Sequence, residues 1–270
     1  MPFRHALAAL CTVAVATPSL AEPVDDLMQA LSVGRVVEVM REEGLSYADE
    51  LAGDMMPSGA DEEWRETAER IYDAERMEQA VRAGFAESLG ETDLQPLVDF
   101  FSSDLGARVI ELEIEAREAM VDPAVEEAAR ERYRDIAGDG GPRLEQLEAF
   151  VAANDLIEQN VTGALNASLA FYRGLGAGGA LEIPEDEMLA DVWSQEPGTR
   201  EDTTEWLYAY LLMAYEPLSE DELGRYVDLS QSEEGEALNR ALFAGFNDMY
   251  NEISYAMGLA AARQMAQTDL

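Results

Sequence analysis

Apolar residues recur along this chain at the spacing of a helix. Leu238, Leu242, Phe246, Met249, Ile253, Met257 and Ala260 advance in steps of three and four and trace one face of a long helix. The segment from Trp206 to Tyr215 is apolar all round, but its ten residues are too few to span a bilayer, so it reads as a buried core helix. No stretch alternates β-branched and polar residues as a half-buried strand would. The pattern predicts an all-α fold.

Local signals mark helix ends. Ser219 and Glu222 form a Ser-x-x-Glu capping box, Ser232 can cap the next helix, and Gly235 would allow a close backbone approach. Asp122-Pro123 reads as an N-cap followed by proline at the first helical position. Asn251-Glu252 stands at the corresponding place further on, so that helix should continue unbroken. Gly138 to Pro142 is a breaker.

That correspondence belongs to an internal repeat. Leu89, Glu91, Leu94, Val98, Asp99, Ser103 and Gly106 return without a gap as Leu218, Glu220, Leu223, Val227, Asp228, Ser232 and Gly235, an offset of 129. The same offset pairs Trp64 with Trp193, Leu27 with Leu156 and Met120 with Met249. The expectation is two similar helical units, 24–137 and 144–266, joined by a Gly/Pro linker at 138–143. Trp64 and Trp193 should be equivalent core anchors.

The block from Leu89 to Gly106 resembles the signature of an exported bacterial family called domain of unknown function 2059. The resemblance implies a helical, exported protein with no agreed activity, here in two tandem copies. Phe100-Phe101 in the first copy becomes Leu229-Ser230 in the second. Phe100, Phe101, Trp64 and Trp193 are the residues singled out for binding.

The first residues fit export independently. Arg4 precedes an apolar run from Ala6 to Ala16, and Ser19 and Ala21 set small residues three and one before a cut. Residues 1–21 thus read as a signal peptide cleaved between Ala21 and Glu22, leading to the periplasm or beyond. The apolar run is too short for an anchor.

Composition then narrows the chemistry. The chain has 56 acidic against 18 basic residues, a formal charge of −38. Such a balance argues against neutralising nucleic-acid phosphates or docking on anionic membranes. Every basic residue is arginine, and the single His5 and Cys11 would leave with the leader. Histidine- or cysteine-based nucleophilic sites, Schiff-base lysines, zinc sites and disulfides are then excluded. Carboxylates remain. Glu91 with Glu220, or Asp99 with Asp228, could pair for glycan hydrolysis, though Glu91 and Glu220 read as helix first-turn residues that favour the dipole. No segment gives a calcium loop, so divalent cations should bind weakly and without a dedicated site. Gly174, Gly176 and Gly179 match G-x-G-x-x-G but follow a helical stretch, not a strand, and read as a loop between helices rather than a dinucleotide cradle. The sequence thus predicts no cofactor. It predicts a non-enzymatic accessory module that holds a basic or amphipathic peptide in an apolar groove with an acidic rim, with a carboxylate hydrolase of envelope glycans as the alternative.

Overall fold

The computed structural model describes residues 21–56, 59–138 and 140–268. The expected leader lies outside them apart from its last residue, as do His5 and Cys11; Ala21 and Glu22, the expected cleavage pair, open the first helix. The described residues form thirteen helices and no strand: α1 Ala21–Ala30, α2 Val33–Met55, α3 Glu62–Ile71, α4 Ala74–Leu89, α5 Gln95–Phe101, α6 Asp104–Met120, α7 Pro123–Ile136, α8 Pro142–Ala153, α9 Leu156–Ala177, α10 Glu185–Ser194, α11 Glu196–Tyr215, α12 Glu220–Ser230 and α13 Glu233–Thr268. The all-α class is as expected.

The helix ends follow the short-range chemistry. Asp61 and Asp73 accept from the backbone N–H groups of Trp64 and Arg76 and start α3 and α4. Asp122 caps α7, with Pro123 at its first position. The Ser219–Glu222 capping box is complete in both directions. Ser103 and Ser232 do the same work 129 residues apart. Each hydroxyl donates to the carbonyl three residues back, at 2.6 and 2.7 Å, and accepts from the glycine N–H three residues on. A side chain on either glycine would strike the preceding helix: a β-carbon on Gly106 would lie 2.1 Å from the Phe100 carbonyl oxygen, and one on Gly235 2.0 Å from that of Leu229. α13 runs unbroken past Asn251.

The ungapped offset does not extend to the tryptophans. α3 and α10 both have ten residues, but Trp64 lies in the first turn of α3 and Trp193 at the penultimate position of α10. Trp64 is 1% exposed and its indole N–H donates to the Ala48 carbonyl at 2.9 Å, whereas Trp193 is 60% exposed. Trp193 is therefore not a core anchor. α10 buries Met188 and Val192, and Trp193 lies one position round the helix from that stripe. Ser32 and Asp155, the two non-glycine residues with positive φ among those described, hold left-handed conformations at the α1–α2 and α8–α9 joints. They lie 123 residues apart, so any correspondence before Leu89 requires a gap.

Segments 24–137 and 144–266 share one apolar core. Its centre is α13, which packs most extensively on α9 and α4. Two glycine crossings bring these helices together: Gly84 of α4 against Gly245, and Gly174 of α9 against Gly258. The G-x-G-x-x-G segment is accordingly not a loop throughout. Gly174 and Gly176 lie inside α9, and a β-carbon on Gly174 would sit 2.2 Å from the Tyr255 carbonyl oxygen.

Candidate binding cavity

A cavity of about 300 Å³ opens between α2, α6, α11 and α13. Its wall is mainly apolar. Val36 and Met40 come from α2, Ile110 and Ile114 from α6, Leu207 and Leu211 from α11, and Leu238, Leu242 and Phe246 from α13; Phe101, Phe150 and Tyr226 close one end. Pockets of this kind, apolar with a few convergent polar groups, are the usual shape of a ligand site.

The charged lining residues are Glu113 and Arg117, one turn apart on α6. Tyr215 and Tyr226 both donate to Oε1 of Glu113, at 2.5 and 3.1 Å. The Tyr210 hydroxyl donates to the Glu113 backbone carbonyl at 3.0 Å. Burial pushes the Glu113 carboxyl above the usual carboxylate range, and the two tyrosine bonds only partly oppose this. Glu113 keeps some accessible surface although helices enclose it, because it faces the cavity. The same burial, with the Glu113 charge nearby, raises the phenols of Tyr215 and Tyr226 well above their ordinary value, so both are hydrogen-bond donors at neutral pH.

Arg117 is committed elsewhere. Its Nε and Nη2 donate to the two carboxylate oxygens of Glu43 on α2 at 3.0 and 2.7 Å, a bidentate pair. This pair stands between three hollows. Arg117 lines the apolar cavity, Glu43 lines a more polar cleft of about 500 Å³ bounded by Tyr47, Tyr72, Phe171 and Tyr250, and both line a shallow cleft with Glu50, Glu126 and Trp206.

Of the residues singled out from sequence, Phe101 reaches the cavity wall. Phe100 stacks on Tyr226 with ring centroids 5.9 Å apart, and Phe101 meets the same ring edge-on at 6.2 Å. Trp64 belongs to the core, and Trp193 borders a separate hollow with Leu189 and Arg200. Glu91, Glu220, Asp99 and Asp228 are all exposed, and Glu91 lies in a turn ahead of α5 rather than in a helix first turn. No group of three or more His, Cys, Asp or Glu gathers to hold a metal among the described residues. No helix among them is long and apolar enough to cross a membrane.

Sequence reasoning missed Glu113 and Arg117. The signal was present: Gly106, Ile110, Glu113, Arg117 and Met120 follow steps of four, three, four and three, which puts both charges on the buried stripe of α6.

No curated protein and no solved structure matches the chain. The family model described as an uncharacterized protein conserved in bacteria (DUF2059) matches residues 75–135, a stretch that runs from α4 into α7 and includes Phe100, Phe101, Glu113 and Arg117.

Proposed function

We propose that this chain is an exported, non-enzymatic binding module that takes one or two apolar side chains of a basic, amphipathic peptide segment into the cavity on α6. The cavity carries this reading: an apolar hollow of about 300 Å³ between packed helices, with Glu113 and Arg117 as its only charged lining among the described residues. The formal charge of −38 favours a basic segment over an acidic one. Glu43, Glu50 and Glu126 line the neighbouring cleft, where basic residues flanking the apolar ones could rest. Glycan hydrolysis is less well supported, because it needs two carboxyls flanking the scissile bond and the cavity offers Glu113 alone, with Glu43 held by Arg117. The recurring Ser–Gly turns at Ser103 and Ser232 support descent of the two halves from one duplicated helical unit. The leader-like first 21 residues support export and cleavage after Ala21.

Fluorescence titration with the neutral apolar dye N-phenyl-1-naphthylamine tests the reading. The dye should brighten on binding, Leu242→Trp should abolish that by filling the cavity, and a basic amphipathic peptide should displace the dye where its acidic counterpart does not. Absence of dye uptake, or equal displacement by both peptides, would overturn the proposal.

A further inference from the structure

The chemistry around Glu113 specifies more than an apolar guest. Both tyrosine hydroxyls converge on Oε1, and no hydrogen bond from the described residues reaches Oε2. Arg117, the nearest cation on the same helix, already spends its fork on Glu43. One oxygen of the carboxyl is therefore without a hydrogen bond from the described residues, on a side chain that lines the cavity. The same cavity is lined by aromatic rings: Tyr226 lies 5.1 Å from Phe150 and 5.9 Å from Tyr215, and Trp206 stacks on Tyr210 at 5.2 Å. A carboxylate in an aromatic-lined cavity suits a cation, which gains from the charge and, where it meets a ring face, from the ring quadrupole. Two phenol donors on Oε1 stabilise the ionised carboxylate once a cation is present.

We propose, on the basis of the binding reading above, that Glu113 Oε2 anchors a primary ammonium carried on an apolar chain, as in a lysine side chain of the bound segment. The groups facing Glu113 are Tyr210 and Tyr215 of α11, Tyr226 of α12 and Arg117 of α6, with Glu43 of α2 behind Arg117; α5, α8, α9 and α13 present uncharged residues to the cavity. Burial raises the affinity of the Glu113 carboxyl for a proton. When the ammonium enters with its own three protons, a protonated Glu113 gives its proton to water and the ion pair forms. Binding releases up to one proton where the empty site is protonated, and none at higher pH where it is already ionised.

Calorimetry on the full chain with 2-phenylethylamine and its neutral isostere 2-phenylethanol tests this, in two buffers of different ionisation enthalpy and with the Glu113→Gln variant. The amine should bind about tenfold or more tighter than the alcohol, a step the charge and cation–π contacts can supply. Its binding should release protons in an amount that shrinks as pH rises, while the alcohol releases none. Glu113→Gln should bring the two affinities together and still bind the alcohol and the naphthylamine dye. An amine that binds no better than the alcohol, or a preference that survives in Glu113→Gln, would overturn the ammonium site and leave the apolar cavity standing. Failure of both ligands and of the dye to bind the native chain would overturn both.

Discussion

Gly84 and Gly245 meet backbone to backbone where α4 crosses α13: a β-carbon on Gly84 would stand 2.9 Å from the Gly245 Cα, and one on Gly245 2.4 Å from the Val81 carbonyl oxygen. The contact places main chain, not the tip of a side chain, in the way of any substitution. Gly245→Ala should therefore destabilise the protein by about 1–3 kcal/mol, the cost of overpacking a tight interface. Gly53 is the control. It lies within α2 with nothing within 4 Å of its β-carbon position, so Gly53→Ala should stabilise by roughly 0.5–1 kcal/mol. Denaturant melts of both variants check the pair; equal effects would contradict the crossing.

Trp64 and Trp193 should separate cleanly in their effect on stability. Trp64→Ala should cost about 3–5 kcal/mol, as expected for emptying a buried aromatic site and removing the indole N–H that donates to the Ala48 carbonyl. Trp193→Ala should change stability by no more than about 0.5 kcal/mol. Urea unfolding of each gives the comparison.

Removing the hydroxyls of Ser103 and Ser232 should cost about 1 kcal/mol at each site, because each satisfies a helix-start N–H in the same way. The sites stand on different helices, so Ser103→Ala and Ser232→Ala should be close to additive in the double variant. A cost at one serine and none at the other would show that the two turns are not equivalent in energy.

Stability should fall with rising pH through the titration of Glu113. Burial raises its folded carboxyl above the unfolded value near 4.3. At low pH the group is neutral in both states. As pH rises the unfolded chain ionises first, and the native state loses ground until pH passes the raised folded value. Glu216 and Glu222 run the other way: Arg132 and the Ser219 cap hold them below the usual range, so their contribution fades only as pH falls under it. Thermal melts of native protein and Glu113→Gln from about pH 4 to about pH 8 should show the variant gaining relative stability with pH. A constant difference would mean that the carboxyl titrates normally.

Salt should stabilise the molecule. With 56 acids against 18 bases the native state repels itself, and the Debye length shortens from about 30 Å at 0.01 M to about 10 Å at 0.1 M. Most arginine ion pairs are exposed, such as Arg35 with Glu111 and Arg132 with Glu216, and such pairs are worth little individually. The melting temperature should rise from low to moderate sodium chloride, and further with magnesium at equal ionic strength without saturating at one equivalent. A fall with salt would show that pairing outweighs repulsion.

What could be read in advance was what neighbours in sequence decide. Ser219 with Glu222, Ser232 with Gly235 and Asp122 with Pro123 act across one turn, so their residue types announced the helix ends. Trp193 is ambiguous in sequence because two apolar stripes run along α10, Met188 with Val192 and Leu189 with Trp193, and only tertiary packing selects the first. Glu113 was hidden by composition: among so many acids, one on the buried stripe of α6 does not stand out unless its helical phase is counted. Gly174 is ambiguous in sequence, because a glycine that breaks a helix and one that lets helices touch look alike until the partner, Gly258, is placed.

The arrangement around α13 also orders events in time. Gly84 and Gly245 are separated by 161 positions, so α4 emerges from the ribosome long before the surface it must meet. Until α13 follows, Val81 and Phe85 lack their main cover, and α9 waits in the same condition. A nascent chain built this way has a late keystone: the contacts of α4 and α9 with α13 wait for the end of synthesis and form at the slow pace set by distant contacts.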